Sequence, residues 1–124
     1  MAEKLIISGD SKAEKYEVLY KQIKELVGYE TDEIANMANI SSMIHETFGF
    51  LWTGFYRVVG EELVLGPFQG PLACSSLSRS EIVVPVLSDG VIVAVLEIDS
   101  REFSTFDEED RFWLEKIVSL LGRQ

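Results

Sequence analysis

A handful of side chains in this sequence are of kinds that perform chemistry. Cys74 is the only thiol. As a thiolate it could attack an electrophilic sulfur or carbon, and as a buried small hydrophobe it would be inert. It stands in "ACSSLSRSE", a run of small residues that offers hydroxyls and amides to a ligand and ends at Glu81. Arg79 is the local cation, able to lower a thiol pKa or to pair with a carboxylate. Further on, "LEIDS" places Glu97 and Asp99 two apart on one strand face, with Leu96 and Ile98 on the other. Carboxylates so spaced can converge on a cation, share a proton or face solvent. Upstream, "WTGFY" holds Trp52 and Tyr56 on one side of a strand with Gly54 between them, which suits either a packed core or an aromatic pocket wall. His45 lies beside Glu46 in a helical stretch and reads as a surface residue or one already hydrogen-bonded.

The elements that must hold these residues are legible in the hydrophobic spacing. In residues 12–27, Tyr16, Leu19, Tyr20, Ile23, Leu26 and Val27 recur at helical intervals, with Gly28 as the stop. Thr31 or Asp32 can cap a second helix running to about Phe48, with Met37, Ile40, Ile44 and Phe48 on its apolar side. The period then drops to two. Residues 50–59 and 62–68 read as a hairpin around Gly60, and residues 81–87 and 91–98 as another through Ser88–Gly90. Pro85 has no N–H to give, so its strand belongs at a sheet edge or bulge. A last helix from Asp107 to about Leu121, capped by Asp107 with Asp110 and ended by Gly122, packs through Phe112, Leu114, Ile117, Val118 and Leu121. Helices at both ends and hairpins between them imply an α+β domain, an antiparallel sheet flanked by N- and C-terminal helices.

The bulk composition limits the function classes. At 124 residues the chain suits one domain, 1–124. A net charge of −10 without a Lys/Arg cluster argues against a nucleic-acid partner and against an anionic membrane surface. No apolar stretch reaches spanning length, and the N-terminus lacks the apolar core of a signal peptide. A single cysteine permits no internal disulfide, which fits a reducing, cytoplasmic location. One cysteine and one histidine also argue against a structural zinc site, so no metal is expected.

Taken together, "WTGFY", "LVLGPFQG", "AC", "SRSEIVVPV", "VLEIDS" and "FDEED" resemble, in this order, the free methionine-(R)-sulfoxide reductases, small enzymes of the GAF fold. The resemblance runs from about Lys15 to Leu121. It implies reduction of the R epimer of free methionine sulfoxide by a cysteine thiolate, without a cofactor, and recycling by a thioredoxin-like dithiol. On the same ground Trp52 and Tyr56 are expected to wall the methyl-sulfinyl end of the substrate. Glu81, Glu97 and Asp99 are expected to bind its α-ammonium, and Cys74, Glu81 and Asp99 to form the catalytic set. A homodimer is compatible with the exposed apolar parts of the N-terminal helices. The other class in play is a non-catalytic GAF module that binds a small amino-acid-like ligand.

The sequence departs from the family pattern in two places. Glu97 stands where the family usually has aspartate. More consequentially, the family usually carries three cysteines, with a few dozen residues between the first and the last. Here "GPFQGPLAC" runs directly into "SSLSRSEIVVP". Cys74 fits the attacking cysteine by its spacing to Glu81 and a resolving one by its spacing from Gly66. Either the protein lacks the intervening segment, or the molecule carries it at the 74–75 join.

Overall fold

A computed structural model describes residues 11–71 and 76–122. The first helix, α1 (Lys12–Tyr29), starts in a capping box in which Ser11 and Glu14 satisfy each other's backbone N–H groups. It buries Tyr16, Leu19, Ile23 and Val27, one face at three- and four-residue spacing. Gly28 does not stop it. The helix passes through that glycine, and the chain turns extended only at Glu30. Asp32 caps α2 (Glu33–Phe48) through the Ala35 N–H at 2.9 Å. Gly49 closes α2 in left-handed backbone, where a side chain would be strained.

Two hairpins follow. β1 (Trp52–Val59) turns through Gly60 and Glu61 into β2 (Glu62–Gln69). β3 (Ser80–Ser88) turns through Asp89 and Gly90 into β4 (Val91–Ser100). Asp89 and Gly90 both have positive φ, the backbone that an Asp-Gly hairpin turn requires. The sheet order is β2-β1-β4-β3, antiparallel throughout. β3 is therefore an edge strand, as Pro85 demands.

The last helix, α3 (Glu108–Val118), begins in the expected Asp107–Asp110 capping box. It ends at Val118, earlier than the spacing predicts, because the backbone tightens there: Leu120 N–H bonds to the Ile117 carbonyl and Leu121 N–H to that of Val118. Leu114, Ile117, Val118 and Leu121 are buried, whereas Phe112 is 58% exposed and packs outside the core.

One face of the sheet, through Phe55, Ile82, Val84, Val86, Ala94, Leu96 and Ile98, joins the buried faces of all three helices in a single apolar cluster. The molecule is thus a two-layer α+β arrangement, as the sequence predicts. Strand alternation sends Trp52, Gly54, Tyr56, Glu81, Val83, Glu97 and Asp99 to the opposite face.

Candidate active site

The candidate residues lie on that second sheet face because of the pairing register. Trp52 is opposite Asp99 and Gly54 is opposite Glu97 across β1 and β4. Glu81 is opposite Asp99, and Val83 opposite Glu97, across β3 and β4. The register thereby gathers Glu81, Glu97 and Asp99 from two adjacent strands, and one oxygen of each lies within 4.8 Å of the others. Three carboxyl groups this close cannot all remain ionised without cost. Burial first, then the charges of Asp99 and Glu81, raises the Glu97 carboxyl to about 7. Burial first, then the charge of Glu81, also raises Asp99. At neutral pH the cluster therefore holds protons that ordinary surface carboxylates would have lost. Its oxygens could donate such a proton, accept an ammonium group, or take a hard divalent cation.

The other half of the face is aromatic. The rings of Trp52 and Tyr56 stack at 5.9 Å between centroids, as their shared strand face predicts. A third ring, Phe68 of β2, stacks on the other contact of Trp52 at 5.4 Å and 17°. Trp52 is only 1% exposed, so it is the enclosed member of this group. Its buried indole Nε1–H finds no hydrogen-bond acceptor among the described residues. Gly54 makes the arrangement possible. A Cβ there would fall 2.6 Å from Trp52 Cη2 and 2.4 Å from Phe68 Cβ.

Phe68 was not foreseen from the spacing, for a definite reason. Strict alternation from Leu65 would bring residue 67 to this face, but the β1–β2 register shifts between Gly54 and Tyr56. Gly54 pairs with Phe68 while Tyr56 pairs with Leu65, so Gly66 and Pro67 together oppose Phe55. The Gly-Pro pair inside the strand was the available signal, since both residues mark bulges.

The site divides cleanly between the hairpins. Trp52, Tyr56 and Phe68 all belong to β1–β2, and Glu81, Glu97 and Asp99 all belong to β3–β4. The central β1–β4 pairing is the seam between an aromatic half and an acidic half.

Two other candidates can be placed, and a third cannot. His45 reaches from α2 to the helix-covered face of the sheet, where its Nδ1 lies 3.0 Å from the Thr53 hydroxyl, and burial lowers its pKa. It is the hydrogen-bonded residue expected, away from the carboxylates' face. Arg79 is pinned by its N–H to the Ser100 carbonyl at 2.8 Å. Its guanidinium reaches the Ser76 carbonyl at 3.4 Å and lies 5.7 Å from the Phe103 ring centroid. Cys74 lies outside the described residues. The described strands on either side of it end at Gln69 of β2, opposite Thr53, and begin at Ser80 of β3, opposite Ser100.

No protein-family model matches the chain. Individual relatives do. The GAF domain-containing protein A of Dictyostelium discoideum is 41% identical over 156 positions, covering 98% of this chain and 99% of the relative. The free methionine-R-sulfoxide reductase of Escherichia coli is 31% identical, with 91% and 90% covered. Among solved structures, the free methionine-R-sulfoxide reductase of Neisseria meningitidis in complex with its substrate superposes with a TM-score of 0.92 at 38% identity, covering 96% of this chain and 93% of that one. The first alignment has 156 positions and this chain 124 residues, so at least 32 positions of that relative have no counterpart here.

Proposed function

Because the chain belongs to the free methionine-R-sulfoxide reductase family of GAF-fold proteins, we propose that it reduces the R epimer of free methionine sulfoxide to methionine. The observation that carries this reading is the seam: a partly protonated carboxyl cluster beside a stack of aromatic rings on one sheet face. A free amino acid brings an α-ammonium for Glu81, Glu97 and Asp99, which a residue within a peptide lacks. Its methyl-sulfinyl end is the apolar part that Trp52 and Tyr56 would receive.

In this reading the Cys74 thiolate attacks the sulfoxide sulfur. The sulfoxide oxygen takes a proton from the carboxyl cluster as the sulfur–oxygen bond breaks, which makes oxygen a better leaving group. The hydroxide so released attacks the Cys74 sulfur and breaks the new sulfur–sulfur bond, so methionine departs, reduced by two electrons, and Cys74 is left as a sulfenic acid, oxidised by two. With one cysteine, the chain can form no internal disulfide. An external dithiol of the thioredoxin type would condense with the sulfenic acid, releasing water, and its second thiol would then free Cys74. No cofactor enters these steps. The connection from β2 to β3 supports the assignment, since Cys74 belongs to a stretch whose ends are anchored beside Trp52 and beside Asp99.

The test is turnover of free methionine-(R)-sulfoxide with a dithiol, comparing the wild-type protein with Cys74→Ser. Consumption by wild type, and loss of at least a hundredfold in the variant, is expected. Full turnover by Cys74→Ser would remove Cys74 from the mechanism. Saturable binding without consumption would instead identify a ligand-binding module.

A further inference from the structure

We propose that Gly54 and Phe68 are positioning residues that hold the Trp52 indole down against β1 and thereby set how large an alkyl group the apolar end of the site admits. The inference rests on the reductase reading for its substrate and on the ring geometry for its mechanism.

Trp52 stacks with two rings, Phe68 at 5.4 Å and Tyr56 at 5.9 Å. Its height above the sheet depends on what lies beneath. Under Cη2 there is no side chain, because residue 54 is glycine, and an added Cβ would stand 2.6 Å from that atom. The same Cβ would stand 2.4 Å from Phe68 Cβ and 3.0 Å from Phe68 Cα, atoms fixed by the Gly54–Phe68 pairing. The backbone of β2 cannot yield without breaking that pair, whereas the indole can lift. A lifted indole pushes Tyr56 outward and shortens the space beside Glu97, which faces Gly54 across the seam. Removing the Phe68 ring acts in the opposite sense. It opens a void beside Trp52 into which the indole can shift, lengthening that space.

The probe is a substrate longer by one methylene on sulfur, free ethionine-(R)-sulfoxide, compared with free methionine-(R)-sulfoxide. One methylene in an apolar pocket is worth about tenfold or more in kcat/KM, so the ratio of the two substrates reads pocket length directly. Phe68→Leu is expected to raise the ethionine-to-methionine ratio about fivefold, and Gly54→Ala to lower it by a similar factor, chiefly through KM. Phe68→Tyr, which keeps the ring, should restore the wild-type ratio. A change in overall stability alone would move both substrates together.

The geometry is read separately, without substrate. In a Trp113→Phe background, Trp52 is the only tryptophan. Its emission should shift to the red in Gly54→Ala as the indole leaves its buried place, and remain unshifted in Phe68→Tyr. Unshifted emission in folded Gly54→Ala, or a substrate ratio within twofold of wild type in Phe68→Leu, would overturn the proposal. If Gly54→Ala fails to fold, the Phe68 pair decides the question. Wild-type protein that binds but does not turn over either substrate would sink the reductase reading and the selectivity claim with it, while the emission result would still decide the indole's placement.

Discussion

Glu97 shows how one side chain couples the site to stability. Burial and two like-charged neighbours raise its carboxyl from an ordinary 4.5 to about 7 in the folded state. A group whose folded value is raised contributes stability that is fully present below the unfolded value, and loses it as pH climbs through the folded one. Folding is therefore penalised above pH 7 and not below about pH 4.5. Glu97→Gln removes the titration. Its melting temperature should exceed that of wild type by a few degrees at pH 8 and match it at pH 4, with an advantage of about 1 kcal/mol at most, because Glu97 is only partly buried and water screens its charges. An equal gain at both pH values would show that packing, not charge, is responsible. The chemistry of these residues was legible in the sequence to different degrees. Glu97 and Asp99 declared their shared face through period two, but Glu81 could join them only through the β3–β4 register. That register is set by the Asp89-Gly90 turn together with a bulge: Leu87 pairs with Ile92 but Val86 with Ala94, and without the extra Val93 Glu81 would stand opposite Ile98 instead of Asp99. Trp52 and Tyr56 were legible for the same reason as the carboxylates. Phe68 was hidden by the bulge at Gly66 and Pro67, which breaks the alternation that pattern reading relies on.

Between the elements, the terminal helices are held by a polar contact that spacing does not reveal. Asp110 was legible as a capping residue, and it does accept the Asp107 N–H at 2.9 Å. The same carboxylate also takes the Tyr16 hydroxyl at 2.6 Å and the Lys12 ammonium at 2.6 Å. Asp110 and Tyr16 are almost wholly buried, so each group satisfies a donor or acceptor that would otherwise be stranded. Burial first, then the Asp110 carboxylate, holds the Tyr16 hydroxyl protonated well above the ordinary phenol range. Tyr16→Phe should destabilise the fold by about 2 kcal/mol, the cost of leaving a buried carboxylate one partner short. Denaturant unfolding would show a lower midpoint at unchanged slope. A midpoint within error of wild type would mean that the contact contributes nothing net. Helix identities were readable from the apolar spacing, and the caps of α2 and α3 from Asp32 and Asp107, whereas the Ser11 capping box of α1 was not foreseen. The helix ends at Tyr29 and Val118 were not, because glycine permits a stop without imposing one.

Across the whole molecule, the sheet order places β2 and β3 at opposite edges. Three strand spacings are about 14 Å, a distance well within the reach of about 33 Å that ten extended residues have. The intact mass of the reduced protein decides the join: 14.0 kDa would show that the intervening segment is absent, and a greater mass is the outcome expected if the segment is carried at 74–75. The division of the site between two hairpins bears on the order of folding. Each hairpin is local, with Val59 meeting Glu62 and Ser88 meeting Val91, and can form as soon as its own turn closes. The pairing of Trp52 with Asp99 spans both hairpins and must wait for the largest loss of chain freedom. A folding chain thus carries the rings on one preformed ribbon and the acids on another, and the pocket comes into being only when the two ribbons zip together.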